Sequence, residues 1–168
     1  MGSKPSKGRG RKTGKPAARA RAAVKLDWAI ASDYGAARKV QKTIMQSVRA
    51  ARFDEHSVFA INLSLEEAMI NAIKHGNGLD KELKVQVECT VSPKQVEIVI
   101  EDQGKGFSRK DVPDPTLAEN LCKTCGRGIL LIEAYMDQVQ YSRGGRRVRM
   151  IKKNERDGQD ARDEGTAK

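Results

Sequence analysis

Three short segments, met in order along this 168-residue chain, carry side chains whose chemistry belongs together. In Glu67-Ala68-Met69-Ile70-Asn71 a carboxylate and a carboxamide stand four residues apart. On a helix that spacing puts both on one face, with Lys74 beside them. The carboxylate can hold a water or hydroxyl, and the carboxamide can offer an oxygen to Mg²⁺, which takes few protein ligands and keeps waters and phosphates as the rest. Asp102-Gln103-Gly104-Lys105-Gly106-Phe107 closes a predicted strand. An Asp there can accept a hydrogen bond from an exocyclic amine, and the two glycines let the backbone bend and approach a flat ligand closely. Gly126-Arg127-Gly128-Ile129 opens a helix, where unpaired N–H groups and the macrodipole favour phosphate. The ordered set describes a nucleotide site. Each segment alone has a plainer reading: Glu67 as part of a cap, Asn71 as a solvent-facing residue, Asp102 as the head of an Asp-x-Gly turn. A Rossmann site fits poorly, because no third glycine opens a helix after Gly104 and Gly106. A P-loop fits worse, since Gly-Lys-Ser/Thr does not occur.

The elements that must position these residues are legible from periodicity. Ser64-Leu65-Glu66-Glu67 reads as a capping box starting a helix at Ser64, with Leu65, Met69, Ala72 and Ile73 as its apolar stripe. Leu83 to Val91 and Val96 to Asp102 alternate as strands, joined across Ser92-Pro93-Lys94-Gln95 into a hairpin. Ile129, Leu130, Ile132 and Met136 give the third motif a helical face. Upstream, Val24 to Ala31 reads as a strand and Asp33 to Ala51 as a long helix. Downstream, strands near Val139–Ser142 and Arg147–Lys152 flank the turn Arg143-Gly144-Gly145-Arg146. This order predicts an α/β, two-layer sandwich whose sheet is covered on one face by helices, the other face being left for a partner.

Length and composition fit one domain with polar ends: a basic arm over 1–23, a folded domain over 24–153 and a polar tail over 154–168, both ends expected to be disordered. Residues 1–25 hold nine Lys or Arg and no acid, which accounts for +9 of the formal +10 and leaves the rest nearly neutral. Such an arm can bind nucleic acid by counterion release or serve only as a solubilising tail; it has no aromatics to stack on bases. No apolar run is long enough for a signal core or a membrane span. Cys122-x-x-Cys125 is half a zinc site, a redox pair or two reduced thiols, and Cys89 falls in a strand. His75 reads as a packed residue at the end of its helix.

On these residues the chain resembles the ATP-binding domains of the Bergerat fold, shared by histidine kinases, gyrase and MutL. Within that group it is most similar to the small anti-sigma-factor serine/threonine kinases. The resemblance runs from Val24 to Lys152: Glu67-x-x-x-Asn71-Ala72-x-x-His75-Gly76 looks like the N box, Asp102-x-Gly104-x-Gly106-Phe107 the first glycine box and Gly126-Arg127-Gly128 the second. It implies a mixed sheet, ATP and Mg²⁺ as ligands, Glu67 as general base, Asn71 as magnesium ligand and Asp102 as the adenine-reading residue. Lys74 and Arg127 would contact phosphate, and Gly104, Gly106, Phe107, Gly128 and Ile129 would line the nucleotide. Arg38, in Ala37-Arg38-Lys39-Val40, would reach nucleotide or partner. The implied partner is a sigma-like or anti-anti-sigma-like factor in the cytoplasm, with a homodimer left open. One departure stands out: where the anti-sigma kinases carry a Thr-Thr-Lys-Pro type lid, this chain has Val112-Pro113-Asp114-Pro115-Thr116-Leu117-Ala118-Glu119-Asn120-Leu121. Two functions therefore remain open, a protein kinase and a nucleotide-gated binding module. A complete sensor kinase is not expected, because no phosphoacceptor-His helix precedes the domain.

Overall fold

The computed structural model describes residues 22–106 and 127–156. Phe107, the segment Val112 to Leu121, Cys122, Cys125 and Gly126 lie outside the described residues, as do most of the arm and tail.

Strand β1 (Val24–Ala31) leads into α1 (Tyr34–Ala50), with Asp33 as the cap rather than the first helical residue; its carboxylate accepts from Ala36 N at 2.9 Å. Ala37, Val40, Ile44, Met45 and Val48 form the buried stripe of α1 at three- and four-residue spacing. Helix α2 (Glu55–Ile70) begins nine residues before the expected start at Ser64. Its cap is Asp54, which accepts from Ser57 N at 2.8 Å. The Ser64 capping box is thus overturned: Ser64 is fully buried in mid-helix, and its Oγ has no hydrogen-bond partner among the described residues. The local Ser-x-x-Glu pattern misled because the buried face of α2 includes Ser57 and Ser64 while Phe59 lies on its exposed face, so the hydropathy of these residues does not mark its true beginning.

A single π-helical turn, Asn71–Gly76, follows α2 without a break. Then come β2 (Lys84–Val91), β3 (Gln95–Asp102), α3 (Arg127–Tyr135), β4 (Gln138–Ser142) and β5 (Arg147–Lys153). The sheet order is β1-β2-β3-β5-β4. All four pairings are antiparallel, which replaces the mixed sheet that the resemblance implies. The reason is the position of β5. Strands β3 and β4 run in the same direction, but β5 turns back from β4 and inserts between them, so no parallel neighbours meet among the described residues.

The two-layer class holds. Cross-strand partners share a face, so the register places Leu26, Trp28 and Ile30, then Val85, Val87 and Cys89, then Ile98 and Ile100, then Met150 and Val148 on one side. These residues join Ile44, Ile61, Leu65, Ile73 and Ile132 of the helices in one core. Burial pushes the Cys89 thiol up to about 12, so it is a packing group rather than a nucleophile. The other face carries charge: Arg149 bonds Glu97 at 2.7 Å, while Arg147 bonds Glu101 at 2.8 Å and Arg143 also pairs with Glu101. At the C-terminal end the fold extends past its expected limit at 153. Asn154 is buried, donating from Nδ2 to Pro93 O at 2.9 Å and from its backbone N to Lys94 O at 2.8 Å.

The two cap readings separate experimentally. Asp54→Ala removes an acceptor from the first turn of α2 and should cost about 1 kcal/mol. Ser64→Ala removes a buried hydroxyl without a partner and should leave stability within about 0.5 kcal/mol of the parent or raise it. Urea unfolding followed by circular dichroism checks both, and the reverse ranking would return the cap to Ser64.

Candidate nucleotide site

The end of α2 and the end of β3 meet at one edge of the sheet, and the meeting is built from glycines. Asn77 N donates to Ala72 O at 2.8 Å, five residues back, and Leu79 N to Ile73 O at 2.9 Å. The first is the five-residue bond of the π-helical turn, a distortion that inserts one extra residue into a helix and recurs at functional sites, and the second spans six residues where the helix closes. The turn ends on Gly76, where a Cβ would overlap the Asp102 carboxylate. A Cβ on Gly104 would overlap the Gly76 carbonyl oxygen. Both glycines are therefore demanded by close approach of backbones. At Gly106 the demand is double: φ is +76°, and a Cβ would strike Gly144 O in the β4–β5 turn.

Asn77 holds this junction together. Only 4% exposed, it donates from Nδ2 to Ser32 Oγ at 2.7 Å and to Lys84 O at 3.0 Å, and its Oδ1 accepts from Gln103 N at 2.8 Å. Ser32 Oγ in turn donates to Leu83 O at 3.0 Å. One side chain thus ties the end of β1, the start of β2 and the residue after Asp102 to the helix end. Sequence analysis did not single out Asn77 as a site residue. The usable signal was an Asn next to a Gly at a helix end, a residue whose three hydrogen-bonding functions can replace missing backbone partners in a buried turn.

Asp102 is 8% exposed. Burial pushes its carboxyl above the usual value, against the opposing effects of the Gly104 N–H, which bonds Oδ1 at 2.9 Å, and of the Arg146 charge. Its other carboxylate oxygen makes no hydrogen bond among the described residues, and both oxygens lie against Gly76. Arg146, in the turn that touches Gly106, was not foreseen; it entered the sequence reading only as a hairpin residue.

Helix α3 brings the third segment in. A Cβ on Gly128 would overlap Glu67 Oε2 and lie 3.4 Å from Asn71 Nδ2, so the first turn of α3 presses directly on the carboxylate and the carboxamide. Glu67 and Asn71 are both half-buried there, and Ile129 is buried behind them. Arg127 opens the helix and is exposed. The structure therefore brings Glu67, Asn71 and Gly128 together, and separately Gly76, Asp102 and Gly104, the two groups being linked by the π-helical turn. Lys74 sits on that turn, exposed. His75 is exposed as well, not packed, because the widened turn carries it outward; partial desolvation and the neighbouring Lys74 charge hold it below its ordinary pKa. Among the described residues no group of three or more His, Cys, Asp or Glu converges as a metal cluster.

Comparison with known proteins agrees with this geometry. The family model of the histidine kinase-like ATPase domain matches residues 30–152. The chain is 32% identical over 82 residues to an anti-sigma F factor of Oceanobacillus iheyensis, an alignment covering 48% of this chain and 56% of that protein. It is 28% identical over 99 residues to an anti-sigma F factor of Clostridium novyi, covering 55% of this chain and 68% of that one. The chain thus spans between about half and two thirds of the length of these relatives. Among solved structures, the RsbU and RsbW domains of a Mycobacterium tuberculosis protein share the fold, with a TM-score of 0.51 and 14% identity over 78% of this chain and 31% of that one. With the family model covering every described element from the end of β1 to β5, the chain belongs to the histidine kinase-like ATPase domain family.

Proposed function

We propose that this chain is an ATP-binding regulator of a protein partner, in the manner of an anti-sigma factor, and that it binds ATP together with Mg²⁺ between α2, the end of β3 and the start of α3. The observation that carries this reading is the contact of Gly128 with Glu67 and Asn71, which puts a helix N-terminus, a carboxylate and a carboxamide within reach of one ligand. The residues fit the two groups. Asp102 offers an adenine amino group a free, directed carboxylate oxygen in a desolvated wall, and Gly104 and Gly106 leave the backbone bare beside it. Asn71 supplies one neutral hard oxygen, suited to a magnesium ion that takes its other ligands from phosphate and water. Bound there, magnesium supplies charge neutralisation at the phosphates. Arg127 and Lys74 would add cations to the phosphate side, and Ile129 an apolar wall.

Glu67 decides between the two activities. In a kinase it orients the acceptor hydroxyl of the partner and takes its proton as the bond to phosphorus forms. In a binding module nucleotide only sets the conformation that grips the partner. The anti-sigma F relatives and the position of Glu67 against Gly128 favour the kinase reading, with a regulatory protein as substrate.

Titrating ATP and Mg²⁺ to about 100 times Kd should stabilise the protein by about 2.7 kcal/mol, seen as a rise in melting temperature. Asp102→Asn should abolish most of that rise; no heat of ATP binding to the parent in calorimetry at millimolar ligand would refute the site.

The same variant tests the electrostatics without ligand. A folded-state pKa raised by burial means that the ionised carboxylate opposes folding above its unfolded value and that the penalty is relieved as pH falls through the folded value. Asn carries no charge and keeps an acceptor for Gly104 N–H. Ligand-free Asp102→Asn should therefore melt no lower than the parent at pH 7, with the difference narrowing toward pH 4.

Glu67→Gln keeps the shape against Gly128 and removes the base. It should lower phosphoryl transfer to a partner protein at least about 100-fold while leaving the ATP-induced melting shift intact. Loss of both would make Glu67 a structural residue, and unchanged transfer would remove it from catalysis.

A further inference from the structure

We propose that Arg146 reads the base at the nucleotide site, donating a hydrogen bond to N1 of adenine beside the contact that Asp102 makes with the amino group. This contact rests on the ATP site proposed above and completes its recognition of the base.

Asp102 and Arg146 are neighbours across the sheet. The ladder of β3 and β5 ends on the pair Glu101 and Arg147, and one residue further on Asp102 N donates to Arg146 O at 3.0 Å. Side chains alternate between faces along a strand, so Arg147 goes with Glu101 to the uncovered face and Arg146 with Asp102 to the helix side. Facing side chains of this kind leave the backbone about 5 Å apart.

Two contacts place the arginine, which is exposed. A Cβ on Gly106 would lie 3.0 Å from Arg146 Cγ, so the aliphatic stem rests on bare glycine backbone close to Asp102. Its Nε donates to Arg143 O at 3.1 Å, within the β4–β5 turn. The terminal nitrogens make no hydrogen bond or ion pair among the described residues. Arg143 and Arg147 differ, since Glu101 engages both on the opposite face. The Arg146 charge is felt at Asp102, where it opposes the effect of burial, yet the two groups stay beyond the 4 Å of a salt bridge. An arginine that only closed the turn would be satisfied by its Nε. Here a fork of N–H donors is held at the stem and at Nε and left unengaged beside a carboxylate.

A donor beside an acceptor is what the edge of adenine requires. Its amino group donates at the 6-position, and N1, the next ring atom, accepts. Asp102 meets the first and Arg146 the second. Guanine presents the opposite order, an oxygen at the 6-position and an N–H at N1, so the same pair would face two mismatches. The phosphates belong elsewhere, at Gly128, Glu67 and Asn71, and the π-helical turn separates that group from Gly76, Asp102 and Gly104. Arg146 stands with the second group.

Calorimetric titration of the full chain with Mg²⁺ and ATP, GTP or 1-deaza-ATP, in which C–H replaces N1, tests the contact. The parent should bind 1-deaza-ATP at least about tenfold more weakly than ATP, because the guanidinium would then face a C–H. Arg146→Met keeps an aliphatic stem and removes the donors. It should bind ATP at least about tenfold more weakly than the parent does and 1-deaza-ATP as tightly as the parent does, so that the preference for N1 vanishes. Without ligand it should melt within about 4 °C of the parent, as a substitution of an exposed residue does. Equal affinity of the parent for ATP and 1-deaza-ATP would overturn the contact and leave the ATP site standing, and that comparison needs no variant. Equal weakening of both nucleotides in Arg146→Met would also overturn it, by assigning Arg146 to the phosphates or to the fold. So would GTP binding to the parent as tightly as ATP, since the pair would then read N1–H and O6 of guanine. Absence of any nucleotide heat in the parent would remove the ATP site itself, and this contact with it.

Discussion

Gly76, Asp102 and Gly104 approach one another too closely for a Cβ, and most of the site depends on that contact. A helix end and a strand end can come this near only if neither carries a Cβ at the contact, so two hydrogens stand where any other residue would force the elements apart. The π-helical turn gives the extra backbone length that lets Gly76 arrive, and Asn77 satisfies the polar groups that such a tight junction would leave without partners. Burial of Asp102 is a consequence of the same contact. Its raised pKa records a cost in stability when the carboxylate is ionised.

A second close contact completes the arrangement from the opposite side. Gly128 lets α3 press its first turn onto Glu67 and Asn71, so that the unpaired N–H groups of a helix start, a carboxylate and a carboxamide surround one space. The helix is held there by apolar packing, with Ile129 and Ile132 buried toward α2 and Met136 in the core. Packing of α3 on α2 and the position of the first turn of α3 are therefore one event. A disturbance of either helix would reach the site.

Charge is distributed as unevenly as glycine. On the uncovered face of the sheet, Glu97, Glu101, Arg143, Arg147 and Arg149 are neutralised in a ladder of cross-strand pairs. Lys152, on the core side at the end of β5, is buried but lies 3.3 Å from Asp137 and 3.9 Å from Glu155. Among the described residues the cations of α1 make no such ion pair. Surface pairs of the first kind contribute little individually, and their main effect is to make that face nearly neutral.

Local periodicity was enough to determine the strands of this protein and the spacing of its reactive groups. Alternation placed β1 at Val24–Ala31 and the hairpin ending at Asp102, because a strand with one buried face repeats every two residues whatever it packs against. The four-residue interval between Glu67 and Asn71 likewise survives any tertiary arrangement that keeps them helical. What needed the folded molecule was everything set by contact between distant segments. The start of α2 was misplaced at Ser64 because Ser57 and Ser64 on the buried face and Phe59 on the exposed one blur the stripe that would have marked it. Asn77 was overlooked because its partners, Ser32, Lys84 and Gln103, lie 45, 7 and 26 residues away. The antiparallel order around β5 and the meeting of Gly106 with Gly144 arise only when the last hairpin inserts beside β3. Periodicity reports which face of an element is buried, and it carries no information about which other element buries it.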